Sequence, residues 1–167
     1  GYGRMVTAFA ADYFGVTPDI MVTAKGLTNG VIPMGAVFVT SEIHDAFMQG
    51  PEHMIEFFHG YTYSGHPACC AAALANLDIM VRERLVERVA DDIGPYLQQR
   101  WKALGDHPLV GEARMVGLVG ALELVPAKGD RTRKFAPVGE VGTLCRDISF
   151  GNGLVMRAVR DSMIISP

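Results

Sequence analysis

The apolar pattern of this chain changes its period near residue 104. Between residues 67 and 104, apolar side chains recur at helical spacing. In the first part of that stretch they form one stripe, which consists of Leu74, Leu77, Met80 and Val81. Over residues 110–125 they follow the pattern of two strands. Because such a change separates structural units, the sequence predicts one domain over residues 1–104 and a second over residues 105–167.

The composition is that of a globular protein. The chain has 167 residues, 49% of them hydrophobic, and can therefore bury a sizeable core. Charged residues make up 20%, and the formal net charge is -3, with both signs mixed along the chain. This balance gives no reason to expect nucleic acid or an anionic membrane as a partner. The most apolar stretch, 67–81, is interrupted by Asn76 and Asp78, which argues against a membrane-spanning helix there.

The cysteines and histidines give no sign of a disulfide framework or a metal site. There are three cysteines, and Cys69 and Cys70 are neighbours. An odd number with this spacing favours reduced thiols, and hence a cytoplasmic protein. Small-residue packing in a helix is the simplest role for the pair. No familiar zinc spacing relates the histidines of the central segment, so no metal is predicted at His53, His59 and His66.

Apolar runs and turn residues predict the elements of the first half. The run over residues 18–25 has a turn signal on each side and predicts a buried strand that ends at Lys25. Residues 35–40 predict a second strand, and Ser41 can cap a short helix to about Met48. Residues 50–66 have neither a strand nor a helix period, which predicts a long loop of the kind that is often functional.

The second half begins with helices. Pro67 suits the first turn of a helix that is predicted to end at Arg84. A second helix follows over residues 85–104, with a kink or break at Gly94-Pro95. Beyond the two strands, the pattern predicts a charged loop, a helix and a short strand, at residues 128–134, 138–150 and 154–157.

Lys25 is the leading candidate for covalent chemistry. Burial at the end of a strand removes solvent from a lysine and favours its neutral amine, which is a nucleophile toward a carbonyl carbon. The alternative is a solvated lysine beside a turn. A single lysine does not decide between the two, so its neighbours matter.

Two strings resemble signature segments of one enzyme family. The first is Thr-Ala-Lys-Gly-Leu-Thr-Asn-Gly at residues 23–30, followed by Pro-Met-Gly-Ala at 33–36. The second is Phe-His-Gly-Tyr-Thr-Tyr-Ser-Gly-His-Pro at 58–67. They resemble the cofactor-lysine segment and the phosphate-binding loop of the class III aminotransferases, the omega-transaminase family. Both occur in the family's order and at its separation, which makes the resemblance specific.

The resemblance implies an α/β fold of the pyridoxal-phosphate fold type I. A three-layer α/β large domain is then followed by a small α+β domain, both partial in this chain. Residues 1–104 correspond to the later part of the large domain with its long interdomain helices, and residues 105–167 to a truncated small domain. The opening Gly1-Tyr-Gly-Arg4 resembles the family's Gly-Phe-Gly-Arg element.

The resemblance also implies a cofactor, pyridoxal 5'-phosphate, and a homodimer. Lys25 would form the Schiff base with the cofactor and later move a proton between substrate and cofactor carbons. Thr62 would offer its hydroxyl to the cofactor phosphate of the neighbouring subunit, and the backbone amides of Gly60 and Tyr61 would add donors. The alternative for Thr62 is an ordinary threonine in a turn.

Two further residues are implied in substrate binding. Arg157 falls on the family's mobile arginine, whose planar guanidinium can grip a substrate carboxylate with two parallel hydrogen bonds. Arg160 lies nearby, and a structural salt bridge is the alternative for Arg157. Tyr63 can line the neighbour's pocket, although packing accounts for Tyr61 and Tyr63 equally well.

The implied reaction is the reversible transfer of an amino group from an amine or amino acid to a keto acid or aldehyde. An aminomutase or a decarboxylating transaminase on the same scaffold would share Lys25 and Thr62. A non-catalytic α/β binding module is the alternative from a different class, and it predicts that no covalent adduct forms with the cofactor.

Overall fold

The fold combines helices with two antiparallel sheets, as seen in a computed structural model that describes residues 1–54 and 61–167. The helices are α1 (Ala10–Tyr13), α2 (Ser41–Phe47), α3 (Pro67–Arg82), α4 (Leu85–Arg88), α5 (Gly94–Ala103) and α6 (Glu140–Gly151). The strands are β1 (Ile20–Ala24), β2 (Gly35–Val39), β3 (Val110–Val116), β4 (Val119–Leu124), β5 (Arg157–Val159) and β6 (Ser162–Ile165). Short 3-10 turns lie at Lys25–Leu27, Glu52–Met54 and Leu104–Asp106.

The first sheet pairs the two strands that flank the lysine segment. β1 runs antiparallel to β2, with Ile20 opposite Val39 and Ala24 opposite Gly35. Both predicted strands are therefore confirmed. The predicted helix after them is also confirmed as α2, although Thr40 rather than Ser41 occupies the capping position.

The predicted burial of β1 is wrong in the described chain. Residues along β1 alternate between exposed and half-buried positions, and Val22 is 73% exposed. Alternate strand residues point to opposite faces, so one face of β1 is partly covered and the other is open. The reason is that β1 has β2 as its sheet neighbour and few side chains of the described chain pack over its outer face.

α3 confirms the helix predicted from Pro67 and ends two residues before the predicted Arg84. Arg84 itself adopts a left-handed φ of 50°, which breaks the helical path before α4 begins. The predicted apolar stripe on α3 is largely uncovered, since Leu74 is 68% and Val81 78% exposed. Ala73 is the residue of α3 that is buried.

The predicted break at Gly94-Pro95 takes the form of a π turn over Val89–Ile93, between α4 and α5. Proline has no N–H, so the normal helical bond at Pro95 cannot form. The N–H of Gly94 instead donates to the carbonyl of Val89, five residues earlier. A Cβ on Gly94 would collide with that carbonyl oxygen, so this position requires glycine.

The second sheet has the strand order β3-β4-β6-β5, and every neighbouring pair is antiparallel. The two strands predicted around Gly117 are confirmed as β3 and β4. Gly117 has a φ of 54° and its backbone lies against Arg4, whose carbonyl accepts the N–H of Leu118 at 2.9 Å. The opening segment of the chain therefore touches the β3–β4 turn.

The main core lies between α5 and this four-stranded sheet. Its buried members are Trp101, Val110, Met115, Leu122, Leu124 and Met163. The indole Nε1 of Trp101 donates to the carbonyls of Arg114 at 3.1 Å and Ala121 at 3.3 Å. Trp101 precedes position 104 but belongs to the core of the sheet that follows this position. The division into domains at residues 1–104 and 105–167 stays a prediction.

α6 begins at a buried carboxylate supplied by the β5–β6 hairpin. Asp161 is 7% exposed and accepts the N–H of Gly139 at 2.8 Å and of Gly142 at 3.0 Å. A Cβ on Gly142 would collide with the carbonyl oxygen of Arg160. The helix predicted over 138–150 is confirmed, whereas the short strand predicted over 154–157 begins only at its last residue, because β5 pairs with β6 from Arg157 onward.

In the described ranges, every helix is either too short or too polar to span a lipid bilayer.

Candidate active site

Lys25 occupies the first position of a tight turn. β1 ends at Ala24, and Lys25 begins the 3-10 turn that follows. Its φ of 53° lies in the left-handed region that residues other than glycine seldom adopt. Its carbonyl accepts hydrogen bonds from the N–H groups of Thr28 and Gly30, both at 3.2 Å. The strand predicted to end at Lys25 ends one residue earlier, at Ala24, and Lys25 lies just past it.

Two polar side chains form hydrogen bonds to backbone carbonyls in and next to this turn. Thr28 is 1% exposed, and its Oγ1 donates to the carbonyl of Ile32 at 2.6 Å. Asn76, on α3, donates from Nδ2 to the carbonyls of Gly26 at 2.9 Å and Leu27 at 3.2 Å. Side-chain hydrogen bonds therefore join the turn to the long helix.

Tyr2 packs against another side of the turn. Its hydroxyl donates to Oγ1 of Thr23 at 3.1 Å. A Cβ added to Gly26 would lie 2.9 Å from Cδ2 of the Tyr2 ring, which is closer than side chains pack. The ring of Phe9 meets the Tyr2 ring edge-on, with 5.4 Å between centroids. The close approach of Tyr2 explains the glycine that follows Lys25.

The turn borders an open cavity of about 880 Å³. Arg4, Lys25, Asn29, Asn76 and Met80 are among the residues that line it. This volume falls in the range of roughly 300–1,000 Å³ that is typical of small-molecule sites. Lys25 is exposed, so the predicted desolvation of its amine is wrong in the described chain, where few side chains cover the outer face of β1.

The surroundings of Lys25 fit a cofactor that carries an aldehyde. Among residues 1–54 and 61–167, no carboxylate forms an ion pair with Lys25. A lysine that lines a cavity and has no carboxylate partner can present its amine to the carbonyl carbon of an aldehyde bound there. The cavity wall also offers polar groups from Arg4 and Asn29 beside its apolar residues.

The described part of the phosphate-binding string lies outside the cavity of Lys25. Tyr61, Thr62 and Tyr63 are exposed, and Tyr63 is 83% exposed. The N–H of Ser64 donates to the carbonyl of Tyr61 at 3.0 Å, which places Thr62 inside a turn. None of these three lines the cavity of Lys25 within the residues that the structure describes. Gly60 lies outside the described residues.

Arg157 also lies away from Lys25. It opens β5 opposite Ile164, is exposed, and does not line the cavity. In the part of the chain that the structure describes, neither Arg157 nor Arg160 forms an ion pair. The structural salt bridge considered as an alternative for Arg157 is therefore not formed among the described residues.

Sequence reasoning missed the contacts of Tyr2 and Asn76 with the lysine turn. Tyr2 belongs to the Gly1–Arg4 element, whose resemblance to the family's motif implies no role for the tyrosine. In the sequence, Asn76 stands only as a polar interruption of an apolar stretch. An asparagine within an apolar stretch indicates a hydrogen-bond partner, because an amide removed from water needs hydrogen bonds. The sequence does not indicate which residue that partner is.

Among the described residues, no cluster of three or more His, Cys, Asp or Glu side chains is placed to hold a metal ion.

Comparison with known proteins extends these observations along the whole chain. The model of the aminotransferase class-III family matches residues 1–165. The chain is 54% identical over 167 residues to the putrescine–pyruvate aminotransferase of Pseudomonas aeruginosa. This match covers 100% of the chain and 35% of the relative. The chain is 49% identical over 133 residues to the β-alanine–pyruvate aminotransferase of the same species, over 78% of this chain and 30% of the relative.

A solved structure shares the fold. It is an amine transaminase from an uncultivated Pseudomonas species in a form with bound pyridoxal phosphate, with a TM-score of 0.89 and 38% identity. The match covers 100% of this chain and 37% of that one, so the chain spans about a third of the proteins that it resembles. The fold is α/β, of the pyridoxal-phosphate fold type I. The chain belongs to the class III aminotransferases.

Proposed function

We propose that the whole protein, about a third of which this chain represents, is a pyridoxal-phosphate-dependent transaminase in which Lys25 binds the cofactor as a Schiff base. The observation that carries the proposal is the position of Lys25. Lys25 lines a cavity from a tight turn, within a segment that the family model matches. Pyridoxal phosphate is the cofactor that the family relationship and the structural neighbour indicate.

When bound, this cofactor supplies an aldehyde for imine formation and a ring that accepts electrons. The chain's own contribution is to place a nucleophilic and basic amine beside it. Lys25 would hold the cofactor until the substrate amine takes its place, and its freed Nζ would then be the base that removes a proton from the substrate carbon. The cavity beside the turn gives the substrate room to approach Nζ.

A homodimer supplies the phosphate-binding loop in this proposal. Thr62, with backbone amides near Tyr61 and Gly60, binds the phosphate in the partner's site through hydrogen bonds from uncharged donors. The exposure of Thr62 and its absence from the wall of the Lys25 cavity, both seen in the described residues, support a role outside its own subunit's site.

Substrate recognition completes the proposal. Arg157 pairs with the carboxylate of an amino acid or keto acid, and the exposure of Arg157 supports this role. Tyr63 lines the pocket of the partner subunit. The names of two relatives support amines or ω-amino acids as donors and pyruvate as acceptor. A cytoplasmic location is also proposed, on the basis of three cysteines that are all unpaired.

An activity assay on the full-length protein tests the reaction. Putrescine or β-alanine is supplied with pyruvate and pyridoxal phosphate, and alanine formation is followed. Lys25→Ala is expected to lower the rate by about a thousandfold or more, because both the covalent attachment and the proton carrier are lost. Lys102→Ala is the matched control, since Lys102 is an exposed lysine on α5 and is expected to leave the rate unchanged.

The same assay separates the rival reactions. Carbon dioxide released in step with the amino product would identify a decarboxylating transaminase, and an isomeric amino acid formed without pyruvate would identify an aminomutase. A folded full-length protein that yields no amino product and no cofactor adduct would overturn the proposal in favour of a binding module.

A further inference from the structure

Asn76 lies on the face of α3 that points toward the lysine turn. It is half-buried and follows the buried Ala73 by three positions, which places both on one helix face. Its amide donates to the carbonyls of Gly26 at 2.9 Å and Leu27 at 3.2 Å. One side chain thus binds the two residues that directly follow Lys25.

These two carbonyls are separate from the turn's own hydrogen bonds. The N–H groups of Thr28 and Gly30 both donate to the carbonyl of Lys25. Asn76 adds donors at the next two positions, so three consecutive carbonyls of the turn are engaged. The exposed side chain of Lys25 makes little packing of its own. The hydrogen bonds of the turn backbone therefore determine the direction in which this side chain leaves the chain.

The backbone conformation of Lys25 needs such support. A φ of 53° is unfavourable for a residue with a Cβ, and it persists only where the surroundings enforce it. Asn76 and Lys25 also line the same cavity. Release of the amide would allow the turn to relax and would free the side chain of Lys25 from its place in the cavity wall.

We propose that Asn76 is a positioning residue, which holds the lysine turn so that the Nζ of Lys25 is directed at the cofactor. This inference rests on the proposed role of Lys25. Asn76 acts through the backbone of Gly26 and Leu27 and not through contact with the reacting atoms.

Two measurements on the full-length protein test this role. The first is hydrogen exchange of the Thr28 and Gly30 amides without added cofactor, which reports on the turn directly. The second is the rate at which a borohydride-reducible adduct forms on Lys25 after pyridoxal phosphate is added. Asn76→Asp keeps the shape and removes the donor, and Asn76→Leu removes the donor without adding a charge.

Asn152→Asp is the matched control. Asn152 also donates a side-chain amide to a helical carbonyl, that of Ile148 at 2.8 Å, but at the end of α6. We expect both Asn76 variants to speed exchange at Thr28 and Gly30 and to slow adduct formation, each by about tenfold, as the loss of two hydrogen bonds predicts. We expect Asn152→Asp to change neither.

The outcomes separate the two proposals. Adduct formation and turn exchange at wild-type rates in both folded Asn76 variants would overturn the positioning role. An equal slowing in Asn152→Asp would also overturn it, because a general loss of stability would then explain the effect. Absence of any Lys25 adduct in the wild-type protein would instead overturn the proposed function. If Asn76→Asp does not fold, the exchange and adduct rates of Asn76→Leu decide the question.

Discussion

The four-stranded sheet and the two-stranded sheet differ in how completely they cover their apolar side chains. Between α5 and the four-stranded sheet, Met163 is 0% and Trp101 5% exposed. In the two-stranded sheet beside Lys25, Val22 is 73% and Val37 63% exposed. Burial of apolar surface is the main driving force of folding. The C-terminal sheet therefore carries most of the stability that the chain supplies by itself.

The lysine turn is held in a different way. Specific hydrogen bonds from Asn76 and Thr28 and the close approach of Tyr2 hold it, with Leu27 as its buried apolar residue. We expect the geometry of such a turn to change when a single polar group is removed. We expect the stability of the core to fall when side-chain volume is removed. Mutations in the two regions should therefore separate effects on chemistry from effects on stability.

The largest effect on stability is expected in the core. Trp101→Ala should lower the free energy of unfolding by about 3–5 kcal/mol, because it leaves a cavity and removes the indole donor to two carbonyls. Urea denaturation of the full-length protein measures this. Trp101→Phe, which keeps most of the volume, should cost clearly less. Equal costs for the two variants would show that packing does not dominate this region.

A substitution in the turn should act through crowding. Gly26→Ala places a Cβ against the Tyr2 ring and should destabilise the protein by about 1–3 kcal/mol. It should also slow the attachment of the cofactor to Lys25. In a Tyr2→Ala background the cost of Gly26→Ala should largely vanish, as a double-mutant cycle of denaturation measurements can show. The same cost in both backgrounds would exclude Tyr2 as the reason for the glycine.

The start of α6 offers a third test. Asp161→Ala removes the acceptor for the N–H groups of Gly139 and Gly142, and should cost about 1–2 kcal/mol. Asp147→Ala, on the exposed side of the same helix, is the control and should cost a few tenths of a kcal/mol at most. Thermal unfolding distinguishes the two. Similar costs would mean that Asp161 is not the residue that caps α6.

The smallest effect concerns pH. The hydrogen bond from Arg131, with a second from Lys134, holds the pKa of Glu123 below its ordinary value of 4.5. A lowered carboxyl pKa contributes stability that is present above about pH 4.5 and is lost as the pH falls through the folded-state value. We expect a contribution below about 1 kcal/mol, because both cationic partners are about half exposed.

Denaturation of the wild type and Glu123→Gln between pH 3 and 7 measures this contribution. The two curves should converge at the acid end and separate toward neutral pH, where the wild type should be more stable. A constant difference across the whole range would contradict the ion-pair explanation.

Much of the fold follows from local sequence signals. Pro67 at the start of α3, Gly94-Pro95 at the π turn and Gly117 between β3 and β4 each restrict the backbone within a few residues. The lysine string is local in the same sense, because the residues that make it recognisable are adjacent. These features could be predicted without knowledge of tertiary contacts.

Other features depend on residues far apart in the chain. Asn76 lies 50 positions from Gly26, and nothing in its own segment indicates that partner. The left-handed φ of Lys25 opposes its intrinsic preference and results from the contacts around the turn. The exposure of β1 was predicted wrongly, because an apolar run indicates that a strand can be buried but not what covers it.

Mapping the attached cofactor tests the central claim most directly. The full-length protein is incubated with pyridoxal phosphate, reduced with borohydride, digested and examined by peptide mass mapping, with Lys25→Ala in parallel. The account predicts a reduced cofactor adduct on the peptide that contains Lys25, and none in the variant. A folded wild-type protein that carries the adduct on another lysine, or carries none, would contradict it.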